Sequence, residues 1–277
     1  MMHGLSRAAI RRGFAAKTLL GLWTALVYLF LYVPIAVLVV TSFSTGRVTQ
    51  WPPPGYTLEW YGAFLGNPRA LHSIYTSLGI ALVTMACSTA LATLVGYGLT
   101  HFEIRRRAVI DSLVQLPLIV SPLIIGIALV LYFHLIRLPL GYPSVIVAHV
   151  VRTLPFTTLI MLTSFLGVRR SLIEAAMDLG AGRASTFRRV IFPAVLPGVV
   201  ASALLAFTIS FDEISSTYFV VGGGLTTVQM YILEQIEFVI TPEMNALTSA
   251  ILFFSSTLIT IAWWLQLRLR RREGGSH

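Results

Sequence analysis

The chain alternates long apolar runs with short segments that hold most of the charge. A stretch of about 20 mostly apolar residues is long enough to cross a hydrocarbon core of roughly 30 Å. Six such stretches are predicted: Leu19 to Phe43, Ile74 to Leu99, Ala108 to Leu135, Ser144 to Gly167, Phe192 to Phe211 and Ala246 to Leu267. The third is long and is interrupted by Pro117 and Pro122. The first is too long for a signal-peptide core and is not followed by a small-residue cleavage site, so it reads as a retained span. The pattern predicts an all-α polytopic membrane protein. Residues 1–16 form a basic tail, and 17–71 hold the first span and an outer loop with an interfacial helix. Residues 72–267 form a core with an inner loop at 168–190, and 268–277 form a second basic tail.

Composition agrees with that reading. Of 277 residues, 56% are hydrophobic and 11% charged, against roughly 25% charged in soluble domains. Mean hydropathy is +0.81. The net charge of +9 comes from 20 basic residues, of which Lys17 is the only lysine. Lys17 follows Ala16, so the chain has no Gly-Lys-Ser/Thr phosphate loop and is not expected to be an ATPase or another enzyme. The single cysteine, Cys87, excludes an internal disulfide and reads as a small apolar residue within a span.

Sorting the basic residues by loop gives sixteen on one side, counting both tails, 105–107 and 169–189, against Arg47, Arg69 and Arg137 on the other. By the positive-inside rule both termini are cytoplasmic. The excess charge is thus a topology signal and calls for no nucleic-acid partner. Across the membrane, Trp51-Pro52-Pro53-Pro54-Gly55 predicts a stiff turn. Leu58, Trp60, Tyr61 and Phe64 then predict a short helix with aromatics at headgroup level. Residues 212–245 carry Asp212, Glu213, Glu234, Glu237 and Glu243 without a basic residue. Such a segment either attracts cations or a basic surface, or simply lacks arginine as outer loops do. Gly222-Gly223-Gly224 reads as a flexible turn.

Small residues four apart mark packed faces: Thr84, Ser88, Ala92 and Gly96 in the second span, and Ala194, Gly198, Ser202, Ala206 and Ser210 in the fifth. Arg152 lies inside the fourth span, with His149 three residues earlier on the same face and Pro155 just beyond. An intramembrane arginine is a functional candidate. It either pairs with Asp212 or Glu213, meets an anionic group of a cargo, or snorkels to the interface. Asp212 and Glu213 follow the fifth span, either beside a pathway or solvated at the outer surface. His101, Glu103 and His134 read as interfacial, and no residue spacing suggests a metal site or a nucleophile–base pair.

The inner loop between the fourth and fifth spans is the most informative segment. Residues 171–179 favour helix, Ser171 with Glu174 has capping-box spacing, and Gly180 stops the helix through a left-handed turn. An apolar face is thereby left in the cytoplasm for a partner to cover. Glu174-Ala175-Ala176, Gly180 and Val190-Ile191-Phe192-Pro193 resemble the signature loop of type I ABC importer permeases, with Val190 and Phe192 as mild departures. Thr57-Leu58-Glu59-Trp60-Tyr61, Ala148-His149, residues 206–213 and Pro242-Glu243-Met244-Asn245-Ala246-Leu247 are similar to spermidine/putrescine-type permeases, and most similar to the second permease of that type. The resemblance spans nearly the whole chain.

It implies a subunit of an ATP-driven importer of polyamines or a related small amino compound, working by alternating access in a bacterial inner membrane. The implied partners are a second permease, two copies of a cytoplasmic ATPase that hold ATP and magnesium, a periplasmic substrate-binding protein and membrane lipid. Glu174, Ala175, Ala176, Asp178, Gly180 and Arg183 would couple to the ATPase, and Asp212, Glu213, Arg152 and His149 would line the path. In those permeases the place of Arg152 tends to be uncharged, a departure that points towards a zwitterionic cargo. A secondary transporter or a non-transporting scaffold is the alternative. A secondary transporter would need no coupling helix and would show inverted repeats, which this sequence lacks.

Overall fold

A computed structural model describes the backbone of residues 3–236 and 241–274, with side chains for 17–236, 241–261 and 264. Arg7, Arg11, Arg12, Glu237 and the arginines at 268 and 270–272 fall outside the described side chains. Among the described residues the structure is helical and contains no sheet beyond a single bridge between Ser44 and Tyr56. The chain divides into two packing units, one within residues 1–66 and 236–250, the other within 67–235 and 251–277.

In the first unit, α1 (His3–Thr41) is apolar and presents most of its described surface outward, as a lipid-facing span does. Its end is pinned by α2 (Glu59–Leu65). Trp60 Nε1 donates to the Ser44 carbonyl at 2.6 Å, and Tyr61 Oη lies 2.8 Å from Ser42 Oγ. Phe64 is buried. The three aromatics predicted at headgroup level therefore turn back onto the protein, and Leu58 and Leu65 are exposed instead. The indole N–H and the phenol hydroxyl find their partners on Ser44 and Ser42, just past the end of α1. Asn245 belongs to the same unit, and its Nδ2 donates to Thr41 Oγ1 at 3.1 Å and Thr49 Oγ1 at 2.9 Å.

The second unit is built around three long helices, α3 (Pro68–His101), α6 (Tyr142–Leu166) and α9 (Phe192–Phe211). Asn67 caps α3 by accepting the Arg69 N–H, with Pro68 in the first turn, the arrangement that suits a helix start. α3 and α6 run parallel. Thr76 meets Tyr142 near their starts (3.3 Å), Thr153 donates to Ser88 at mid-length (3.0 Å), and Tyr97 packs on Phe165 near their ends (rings 5.8 Å apart). Residues 102–141 must therefore return the whole length of α3. They do so as α4 (Arg107–Ile119) and α5 (Pro122–Leu135), bent by 110° at the break between them. The third apolar stretch is thus two helices forming one return, not a single span. Pro122 cannot continue α4 and instead opens α5, while Pro117 stays inside α4. Counting that return as one crossing, the described residues hold six stretches long and apolar enough to cross a membrane.

Close packing follows from small residues, because lipid supplies no hydrophobic drive between helices. Thr84, Ser88, Ala92 and Gly96 are all buried, as are Ser202, Ala206 and Ser210. The fifth-span stripe departs at one point: Ala194 is exposed and Val195 is buried instead. A Cβ on Gly198 would collide with the Ser164 hydroxyl of α6. Gly198→Ala should therefore destabilise the purified chain by about 1–3 kcal/mol, and adding Ser164→Gly should recover most of that loss in a detergent unfolding titration. Cys87 is exposed on α3, not packed within the bundle.

Candidate functional site

Two regions of the second unit carry the residues singled out by sequence. One is the end of the bundle where α3 and α6 finish and α9 begins. There α7 (Arg170–Asp178) and α8 (Arg183–Thr186) lead into a π-helical turn, Phe187–Ile191, before Pro193. Ser171 is not the N-cap. That place falls to Arg169, which makes no side-chain cap bond, so the predicted capping box is not formed. The helix stop is as expected. Gly180 sits at φ +84°. Its N–H donates to the Met177 carbonyl at 2.9 Å, and the Ala181 N–H donates to the Ala176 carbonyl at 3.0 Å. That pair of bonds is a Schellman closure.

Ile173 packs on a core of Ala92, Met161, Phe165, Ile191 and Val195. Ala176 is half-buried, while Glu174, Ala175, Asp178, Gly180 and Arg183 are exposed. So are Leu172, Met177 and Leu179, the last at 90%. Phe187 of the π turn meets Tyr97 of α3 edge-on, with ring centroids 4.9 Å apart. Tyr97 also stacks on His101 at 4.7 Å. The loop therefore stands on a firm aromatic base and presents an uncovered apolar crest. His101 joins that base and is not simply a solvated interfacial residue.

The second region lies deep in the bundle. Arg152 is ten residues into α6, roughly 15 Å along a helix rising 1.5 Å per residue. Its Nε donates to Glu213 Oε2 at 3.2 Å. Its guanidinium lies 5.8 Å from the Phe156 ring centroid. The other Glu213 oxygen accepts the Ser216 N–H at 3.0 Å. His149 is buried between Ser210 Oγ (2.8 Å from Nδ1) and Thr217 Oγ1 (2.7 Å from Nε2).

This geometry moves part of the acidic segment. Residues 212–216 form a break between two helices, and the break packs beside Arg152. The chain then resumes as α10 (Thr217–Val220), which lies along the first half of α6, with Ser144 Oγ donating to the Val220 carbonyl at 2.7 Å. Apolar character returns at residues 218–221, the signal in the sequence that the span is not finished. Gly126 of α5 abuts the same break, and a Cβ there would come within 2.9 Å of Ser216 Cα. Gly222 is no merely flexible turn either, since a Cβ on it would lie 2.7 Å from the Leu140 backbone.

Of the predicted pathway residues, the structure joins Arg152 with Glu213. It ties His149 to the same segment through Thr217, whose hydroxyl donates to the Glu213 carbonyl at 2.9 Å. Asp212 stays apart, exposed, with Gln229 Nε2 3.3 Å from its Oδ1. Ser88, Ser210 and Thr217 were missed as members of this buried polar network, although Ser88 and Ser210 had been picked out as packing residues. Irregular backbone at membrane depth persists only where protein buries it or water lines it.

Residues 88–274 match the family described as the binding-protein-dependent transport system inner membrane component. The chain belongs to that family. This permease is 30% identical over 254 residues to the putrescine transport system permease protein PotI of Escherichia coli K12, covering 89% of this chain and 90% of that one. It is 28% identical over 240 residues to the spermidine/putrescine transport system permease protein PotC of the same strain, covering 86% and 90%. Among solved structures, a chain of a bacterial ABC transporter involved in the import of the acidic polysaccharide alginate superposes with a TM-score of 0.70. It has 16% identity and coverage of 95% of this chain and 98% of that one. The permease therefore has the type I ABC importer fold. It is a transport component of the inner membrane and not itself an enzyme.

Proposed function

We propose that this permease moves polyamines or a related small amino compound inward by alternating access, with both termini in the cytoplasm. It works beside a second permease subunit and above two copies of an ATPase that hold ATP and magnesium. A periplasmic binding protein delivers the cargo. The single observation that carries the reading is the exposed crest of α7, Leu172, Met177 and Leu179, on a helix fixed at its base by Ile173 and closed by Gly180. An apolar crest of this kind is stable in water only when a partner covers it.

The similarity to PotC and PotI supports an amino cargo. The arginines at 105–107, 169, 170, 183, 188 and 189 lie at the end of the second unit that carries α7, which supports a cytoplasmic place for that end. Nucleotide chemistry belongs to the partner, and this chain supplies the lever. α7 contacts the ATPase, and the π turn with Phe187 passes its displacement to α3 through Tyr97. A π turn within a helix marks a place where the backbone can yield.

Glu174→Arg tests the coupling. The variant should insert normally, lose co-purification with the ATPase, and reduce uptake of radiolabelled putrescine or its zwitterionic analogues to background. Wild-type uptake and co-purification in this variant would remove α7 from the coupling path.

A further inference from the structure

The Arg152–Glu213 pair is buried on one side and partly open on the other. Both Glu213 oxygens are engaged, one by Ser216 and one by Arg152, and the carboxylate side chain is only 6% exposed. Burial, more than these two bonds, limits its access to a passing ammonium group. Arg152 spends only its Nε on Glu213. Among the described residues its two Nη groups have no acceptor, and 24% of the side chain is accessible. Those Nη groups hold four N–H donors in a planar fork.

Donors left unmet within a membrane span are costly, and hydrocarbon chains offer no acceptor. The open face is therefore free to meet water or an oxyanion. The broken backbone at 212–216 beside it fits the same demand, since discontinuous helices near mid-membrane form ligand sites in transporters. A diamine would present like charge to this fork. A carboxylate would take it by two parallel hydrogen bonds. Asp212, the residue before Glu213, is exposed, with Gln229 near its Oδ1.

From this geometry we infer that the cargo carries a carboxylate beside its amine, and that Arg152 is the residue that selects it. This rests on the amino-compound reading above. The test compares uptake of putrescine with uptake of 4-aminobutyrate, in which a carboxylate replaces one aminomethyl group. The assembled importer with its binding protein is reconstituted in proteoliposomes as wild type, Arg152→Lys, Arg152→Gln and Arg152→Gln/Glu213→Gln. The binding protein is common to all, so its own preference divides out when the ratio of each variant is compared with that of wild type.

Wild type should favour 4-aminobutyrate. Arg152→Gln should lower the 4-aminobutyrate-to-putrescine ratio about tenfold or more, and Arg152→Lys should lower it less. The double variant, which leaves no unpaired charge, should keep the lowered ratio. If both compounds fall alike and the double variant restores both, Arg152 is a structural partner only and the inference is overturned. Uptake of putrescine alone by wild type also overturns it, and leaves the amino-cargo reading standing. Uptake of neither compound by wild type overturns both.

Discussion

Gly180→Val should lower uptake by at least five- to thirtyfold while the chain still inserts. The residue at this position sits at φ +84°, where its N–H and that of Ala181 close the last turn of α7. A side chain with a Cβ pays about 1–2 kcal/mol in the left-handed region, a factor of about 5–30 in an equilibrium, and a β-branched residue pays more. Space is not the obstacle, because an added Cβ would have nothing within 4 Å. The cost is purely one of backbone conformation, so relieving it reopens the turn and redirects the crest of α7.

Two controls separate this from a general loss of fold. Gly182 is also open, but its φ is −68°, so Gly182→Ala should leave uptake unchanged. Asparagine tolerates the left-handed region, so Gly180→Asn should retain most of the activity. Uptake of labelled cargo and co-purification with the ATPase are the measurements. Wild-type values in Gly180→Val would mean that the turn does not set the position of α7.

Glu213→Ala should unfold the middle of the second unit. It removes the counter-charge of Arg152 and strips the Ser216 N–H of its acceptor. Breaking a buried pair from one side costs about 3–5 kcal/mol. The low end applies here, because Arg152 is partly accessible. Glu213→Gln keeps an oxygen for Ser216 and should lose less.

The diagnostic variant is Arg152→Met/Glu213→Ala, in which no charge is stranded. It should be more stable than Glu213→Ala alone in a detergent unfolding titration. A cost below about 0.5 kcal/mol for Glu213→Ala, the range of ordinary surface changes, would show that solvent already screens the pair.

The two variants probe different layers of the molecule, and they differ in how readable they were. Gly180 was identified from the sequence alone, since a helix-forming run that stops at glycine demands one backbone geometry. Ser171 shows the limit of that kind of reading. Its spacing to Glu174 suits a capping box, yet the helix begins one residue earlier, at Arg170. Helix ends are settled by competing local bonds that differ little in energy.

The aromatics of α2 show a second limit. Trp60, Tyr61 and Phe64 could face headgroups or the protein, and the choice fell to partners on Ser42 and Ser44 that a sequence does not display. Glu213 shows a third. An acid after an apolar run reads as a loop, and only the contact with α6 reveals that the helix breaks beside Arg152 and resumes.

By itself the sequence determined the apolar stretches, the loop before α9 with its apolar residues, and the family. These follow from run length, from charge sorted by side, and from the special backbone freedom of glycine and proline, all of which act locally. Tertiary structure alone decided which groups meet. It set Arg152 against Glu213, buried His149 between Ser210 and Thr217, and folded the third stretch into a return bent by 110°. Those outcomes depend on the register of helices distant in the chain, and register is fixed by side-chain packing after the helices have formed.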